Sequence, residues 1–504
     1  MYVLGIDVGT TGTKALLVDS SGLVVARGYS GYGLVTPGEG RVEQDAKLWW
    51  TATIAAVRQA CAGLGENAAR DVVALSLSTQ GASSLLVDGR GEPLGPALTW
   101  MDGRASVEAE ELASALGAEC IYRKSGWRVG PSLDAAKIMW LRKHEGDSLA
   151  RAGKFLSTLE FINQRLVGIP CIDPTNAAIR QLMDIGTGHW DPAILEASGC
   201  ELWLLPEIVS SGDFIGTLLP AAAEALGLGE VVRVYNGAHD QYCSCLGSSI
   251  TTPGEIMLST GTAWVLLAVT ERPLFTESWI NPGPHVIKGR FGALTALPTS
   301  GAALEWFRSR FLGVSYEELA SHVERAEGSS GEVLYFPWLV GGGFPRRLPT
   351  ARAAFLGLGL EHDRYDAARA VMEGVVFQMR LALEEYRAQG CPVETLRLMG
   401  GALNSPYWTG LIRDNVEGQV EVMEETDSAC VGAAAFAAVG AGFFSDWRSA
   451  ALAMNTPRAM EAGGEAERQA ATRKFEAWRR AGEALSALYQ SEGAGGSGGR
   501  QAAG

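Results

Sequence analysis

The 504-residue chain has no apolar run long enough to cross a membrane. Its first residues lack a basic segment followed by an apolar stretch and a cleavage site, so a cytoplasmic rather than a secreted protein is expected. A surplus of positive charge is also missing. The net charge is −15, which argues against nucleic acid or an acidic membrane as the main partner. No disulfide framework is visible. The eight cysteines, Cys61, Cys120, Cys171, Cys200, Cys243, Cys245, Cys391 and Cys430, are scattered, as reduced thiols are. Cys243 and Cys245 lie close together with His239 nearby, but no second ligand pair accompanies them, so buried thiols are expected there. Neither a Walker motif nor a Rossmann fingerprint occurs.

What is present is the composition of a globular protein, 47% hydrophobic and 20% charged, and too long for one core. Two large domains are expected. The opening reads as a β-hairpin and a third strand at 23–29, then an amphipathic helix over 45–61. Strands follow at 72–78 and 84–87, helices at 133–143 and 159–166, and a strand at 231–235 before a helix near residue 239. After Pro253 the opening pattern returns: "GEIMLSTGTAWVLLAV" parallels "VLGIDVGTTGTKALLV" in rhythm and in its hydroxyl-rich turn. This suggests two similar α/β halves, divided near 247–254 into domains 1–247 and 248–490. The second half carries predicted helices at 301–311 and 365–387, a strand at 396–399, a helix from 405, and a small-residue helix at 431–439 suited to close packing. A last helix spans 466–489. The tail 491–504 is rich in Gly, Ser and Ala and is expected to be disordered.

The two turns have more than a hairpin needs. At 9–14, Gly9 and Gly12 would let successive N–H groups point one way, and Thr10, Thr11, Thr13 and Lys14 add donors and a cation. Such a turn suits phosphate oxygens, and Asp7 at the strand end suits Mg²⁺ held through water. An ordinary hairpin is the plainer alternative. "STGTAW" at 259–264 could complete a clamp on the β- and γ-phosphates of one nucleotide. In "MGGALNSPYW" at 399–408, Gly400 and Gly401 would let a flat base lie against the backbone. "NGAHDQYCSCLG" at 236–247 places Asp240 after a strand, near a helix start, where it is either a cap or an acceptor of a hydroxyl proton.

Taken together these segments resemble the FGGY carbohydrate kinases, which include xylulokinases, glycerol kinases and ribulokinases. "GIDVGTTGTKALLVD" is similar to the family's first phosphate motif and "STGT" to its second. "STQG" at 78–81 and "WMDGR" at 100–104 stand in its sugar-binding places. "LEFINQRLVG", "CIDPTNA", "GAHDQ", "ARAAFLGLGLEHDRYDAARAVMEGVVFQMR" and "GGALNSPYWTGLIRDNV" extend the match over most of the chain. The resemblance implies two ribonuclease H-like domains of the actin and hexokinase type, with ATP and Mg²⁺ in the cleft between them. It implies Asp240 as general base, and Asp7 is kept as the metal candidate. It places Thr10, Thr11, Gly12, Lys14, Gly261 and Thr262 at the phosphates, and Gly301, Gly401 and Asn404 at the nucleoside. Gln80, Gly81, Trp100, Asp102, Ser132 and Gln241 fall where the sugar or polyol sits.

The implied reaction moves the γ-phosphate of ATP to a hydroxyl of a small sugar or polyol, foremost a ketopentose such as xylulose. Another acceptor (glycerol, a different polyol or a signalling molecule) and a non-kinase ATP-binding relative of the fold stay open as alternatives, as does a homodimer. There are departures. "GGGFPRR" at 341–347 replaces a common Gly-Glu-Arg, "STQG" replaces the Gln-Met-His-Gly of xylulokinases, and Gly81–Ala82 replaces the Arg-Glu pair of glycerol kinases. His239 stands where Gly is common.

Overall fold

The computed structural model describes residues 1–63, 68–325, 331–342, 344–345, 348–425 and 427–495. The first half opens with an antiparallel meander of β1 (Tyr2–Val8), β2 (Gly12–Asp19) and β3 (Val24–Gly31). Successive side chains of a strand point to opposite faces. Leu4, Ile6 and Val8 enter one core, while Val3, Leu16 and Val18 enter another that also holds Met257, Leu267, Val431 and Ala434 of the second half. Burial on both faces is why these strands read as apolar runs without alternation. Helix α1 (Ala46–Ala62), capped by Asp45 on the N–H of Lys47, covers one face. Two further strands, β4 (Val72–Thr79) and β5 (Arg233–His239), run parallel to β1. The order is β5-β4-β1-β2-β3, with Phe214–Thr217 added beyond β5.

The second half repeats this plan. Its meander is β6 (Gly254–Thr260), β7 (Trp264–Thr270) and β8 (Phe291–Leu297), and β9 (Val393–Gly400) and β10 (Gln419–Met423) lie parallel to β6. Even the irregularity is copied: β1 slips against β4 between Tyr2 and Val3, and β6 against β9 between Gly254 and Glu255. This is the ribonuclease H-like arrangement in duplicate. Each fifth strand leads to a helix, α2 (Asp240–Gly247) in the first half and α3 (Ser428–Gly440) in the second. The two helices touch backbone to backbone: a Cβ on Gly432 would lie 2.0 Å from the Cys243 carbonyl oxygen.

Some boundaries differ from the sequence reading. The strand expected at 231–235 lies at Arg233–His239, with a register shift between Tyr235 and Ala238 where Gly237 lies flush on Leu77 of β4. The helix expected at 301–311 is α-helical only to Phe307 and continues as a wider turn over Arg308–Leu312. The last helix, Glu465–Gly495, extends into the expected tail, so residues 491–495 are helical; residues 496–504 lie outside the described residues. Gly343, Arg346 and Arg347 of the "GGGFPRR" departure also lie outside them. All eight cysteines are free, and seven are buried. Among the described residues no cluster of metal-ligating side chains forms around Cys243 and Cys245, and no helix is long and apolar enough to cross a membrane.

Candidate active site

Asp240 sits where β5 leaves the sheet. His239 is extended, and the helix begins at Asp240 itself. The carboxylate is therefore in the first turn and does not cap it. Its side chain keeps 28% of its surface open, yet the surrounding protein displaces enough water to push the carboxyl up to about 6. Desolvation disfavours the charged form, and N–H groups of Gln241 oppose the rise. Asp7, one residue before the end of β1, accepts a hydrogen bond from Ser78 Oγ at 2.7 Å. Burial, and then the charge of Asp240, push Asp7 up to about 7. Beside them, His239 Nε2 lies 3.3 Å from Asp240 Oδ1. Burial pushes this ring down to about 4, so it is neutral at pH 7 and has one N–H to give. The ring fills the space over Gly81, where a Cβ would lie 2.5 Å from His239 Cδ2.

The first turn is closed by the Gly9 N–H donating to the Gly12 carbonyl at 3.0 Å. The curl expected from its glycines is not seen: neither has a positive φ, and Gly12 is needed because a Cβ would lie 2.6 Å from the Tyr29 ring. Tyr32 OH donates to Gly9 O at 2.6 Å, Gln44 Nε2 to Thr10 O at 2.5 Å, and Trp100 Nε1 to Thr10 Oγ1 at 3.0 Å. Thr11 is exposed. Lys14 is not a free cation, since its Nζ lies 2.6 Å from Asp427 Oδ1.

Of the expected sugar residues, Gln80 is buried, donates to Gln44 Oε1 at 2.9 Å, and has an unpartnered Oε1. The Oε1 of Gln241 is also buried without a partner. Such acceptors cost roughly 1–3 kcal/mol until a donor arrives. Trp100 leaves 46% of its surface open beside Thr10. Ser132 is half-buried and precedes Leu133, which packs with Ala82. Asp102 is a correction. It is fully buried, and its oxygens accept from the Val42 N–H at 2.7 Å and from Arg104 Nε and Nη2 at 2.8 Å each. It pins the loop and has no oxygen to offer a substrate.

In the second half, Gly261, Thr262, Gly301, Gly401 and Asn404 line one cavity of about 980 Å³. Trp264, Leu304, Met372 and Trp408 supply apolar wall. Thr260 Oγ1 donates to Met399 O at 2.6 Å and accepts from the Ala402 N–H at 3.0 Å, tying the hairpin to the glycine turn. That turn needs Gly400, whose φ is +92°. The helix after β8 begins against the second turn: the Ala302 N–H donates to Thr262 O at 2.9 Å, and a Cβ on Gly301 would lie 2.2 Å from Gly261 O.

A charged pair between the halves and a nucleoside-sized cavity stand on a duplicated fold. The sequence pattern of the FGGY family of carbohydrate kinases, N-terminal domain, matches residues 2–247, and that of its C-terminal domain matches residues 256–441. The chain belongs to the FGGY family of carbohydrate kinases. It is 28% identical to the xylulose kinase of Bacillus subtilis (strain 168) over 445 residues, covering 88% of this chain and 89% of that protein. Identity to the gluconokinase of the same organism is 27% over 458 residues, 86% of each. A crystal structure of a "xyloylose kinase" from Brucella ovis superposes with a TM-score of 0.90 at 26% identity, covering 97% of this chain and 100% of that one. A Plasmodium falciparum glycerol kinase with ADP shares the fold at a TM-score of 0.86 and 21% identity, over 96% of this chain and 98% of that one.

Kinases of this family use ATP, and the donor set fits Mg²⁺ as such enzymes hold it. Mg²⁺ usually takes one or two carboxylates and completes its shell with phosphate oxygens and water. Asp7 and Asp240 are such carboxylates, close enough for the charge of one to raise the pKa of the other. Three other residues of the site were missed by sequence reading. Asp427 precedes α3 as Asp240 opens α2, and the internal repeat was the signal. Lys137 is fully buried and donates to Ala82 O at 2.6 Å and Leu98 O at 3.1 Å, joining the two sugar segments. Its position four residues after Leu133 and four before Leu141, on the apolar face, was the signal. Gln44 had none, because the two partners that tie it to the site are 34 and 36 residues away.

Proposed function

We propose that this ATP-dependent sugar kinase phosphorylates a ketopentose, xylulose first among the candidates, with Asp240 as general base. One observation carries the reading. Asp240 stands at the start of α2, partly open, beside Asp7 and next to the wall formed by Gly81 and His239. A carboxylate there can orient an acceptor hydroxyl and take its proton as the new P–O bond forms. Phosphoryl transfer needs little more than such positioning and charge neutralisation.

Thr10, Thr11 and Gly12 of the first turn and Gly261 and Thr262 of the second would hold the phosphates. Lys14 would join them with the N–H donors that Asp427 does not take. Gly301, Gly401 and Asn404 would hold the nucleoside, and Gln80, Gln241, Ser132 and the open face of Trp100 the sugar. Asp7, with Asp240 close by, would hold Mg²⁺, which supplies charge neutralisation of the phosphates when bound. The names of the relatives favour xylulose, and gluconate is the second reading because gluconokinases stand among them at similar identity. Glycerol is disfavoured: His239 occupies the space that an arginine at position 81 would need.

The test is an ATP-to-ADP coupled assay over xylulose, ribulose, other ketoses, gluconate, glycerol and polyols. The expected result is the highest kcat/KM for xylulose. A clear preference for gluconate would replace the acceptor, and ADP release indifferent to every acceptor would overturn the kinase reading of the site.

A further inference from the structure

Gln44 lies between the sugar segment and the first phosphate turn. It is 1% exposed and lies just before α1. All its polar atoms are used. Oε1 accepts from Trp49 Nε1 at 3.1 Å and from Gln80 Nε2 at 2.9 Å, and Nε2 donates to Thr10 O at 2.5 Å. The direction of this chain is forced. The indole N–H of Trp49 only donates, so the end of Gln44 facing it is oxygen, and the end facing Thr10 is nitrogen. Gln80 must then present its own nitrogen to Gln44, which leaves its Oε1 as the unpartnered buried acceptor. Thr10 also receives the Trp100 indole N–H on its hydroxyl. Both routes from the sugar segments, Gln80 through Gln44 and Trp100 directly, therefore end on one residue of the phosphate turn.

We infer that Gln44 is a positioning residue that couples acceptor binding at Gln80 to the placement of the Thr10 turn around the nucleotide phosphates. The inference rests on the proposed sugar-kinase reading of the site. A donor hydroxyl reaching Gln80 Oε1 polarises the same amide whose N–H is held by Gln44, and Gln44 passes the change to the Thr10 carbonyl. Acceptor and nucleotide should then tighten each other's binding by one common factor, as linkage requires. Such a link would align the turn for transfer when an acceptor is present and leave it looser when only water could take the phosphate.

Calorimetry on the full chain tests this with Mg-ADP as probe, with and without saturating xylulose or whichever acceptor the assay selects. In the wild type the acceptor is expected to tighten Mg-ADP by a factor in the usual range for coupled sites, ~5–150-fold. Gln44→Glu keeps the two accepting bonds and turns only the Thr10 link repulsive; Gln44→Met removes all three. Both are expected to bring the factor to within about twofold of one, whatever each does to the affinity for either ligand alone. If Gln44→Met does not fold, the nearly isosteric Gln44→Glu decides. A merely structural Gln44 would lower the melting temperature and weaken both ligands while leaving the factor intact, and that result overturns the inference. A wild type that phosphorylates the sugar but shows no mutual tightening also overturns it, with the kinase reading standing. A wild type that phosphorylates no acceptor overturns both.

Discussion

The two hairpin turns stand at the same place in two copies of one sheet, yet they carry opposite chemistry. Val8 pairs with Thr79 at the end of the first parallel strand pair, and Thr260 pairs with Gly400 at the end of the second. One residue earlier the first half has Asp7 and the second has Ser259. Across each hairpin, Asp7 faces Lys14 and Ser259 faces Val265. The first turn thus belongs to a charged neighbourhood of Asp7, Asp240, Lys14 and Asp427, and the second to one of hydroxyls, glycines and tryptophans, with Glu305 and Glu317 farther along the cavity wall. A shared backbone fixes where a turn lies, and the side chains decide the charge of what surrounds it.

That contrast can be broken at its charged end first. Asp240→Asn keeps size and removes the base, so phosphate transfer is expected to fall ~10²–10⁴-fold, while calorimetry should show Mg-ADP binding within a few-fold of the wild type. Near-normal transfer by this variant would remove Asp240 from the role. In the wild type, kcat/KM for the acceptor should rise with pH through a value near 6, where the Asp240 carboxyl loses its proton.

The second half should respond in affinity instead. Thr262→Val deletes a hydroxyl from the second turn and is expected to cost about 1 kcal/mol, near fivefold in kcat/KM for ATP. Gly301→Ala would force a methyl against Gly261 O and should weaken ATP further by shifting that turn. KM for the acceptor should hold in both. If acceptor KM moves as much as ATP KM, the division of labour between the halves fails.

The smallest effect is on stability, and its sign separates the halves. The carboxyls of Asp7 and Asp240 are raised above their unfolded values, to about 7 and about 6. The native state therefore holds these protons more tightly than the unfolded chain. Both groups favour folding when protonated, and that advantage is lost as pH rises from about 4 to about 7. Asp7→Asn should raise the melting temperature by a few degrees at pH 7.5 and by little at pH 4.5. Ser259→Ala, at the same place in the second sheet, should show no such pH dependence. Equal pH dependence in the two variants would contradict the charged-against-neutral comparison.

The sequence by itself determined the two-half organisation, because strands buried on both faces must be apolar and the same rhythm recurs after Pro253. It determined most elements as well, since Asp45, Ser405 and the small residues of 431–439 act through neighbours on the same element. It put forward Asp240 as a candidate base, and Thr262, Gly301, Gly401 and Asn404, which the fold gathers around one cavity, because their motifs are contiguous in the chain. Tertiary structure alone decided the rest. The pairing of Lys14 with Asp427 is a contact between the halves, and Asp102 could be read as a sugar contact only while Val42 was out of sight. The links of Gln44 to Thr10 and Gln80, and of Lys137 to Ala82 and Leu98, are likewise pairings across elements. A local pattern records how a residue meets its own helix or strand; which distant group satisfies a buried charge or amide is settled only when the sheets pack, because that is when water is removed and a partner becomes necessary.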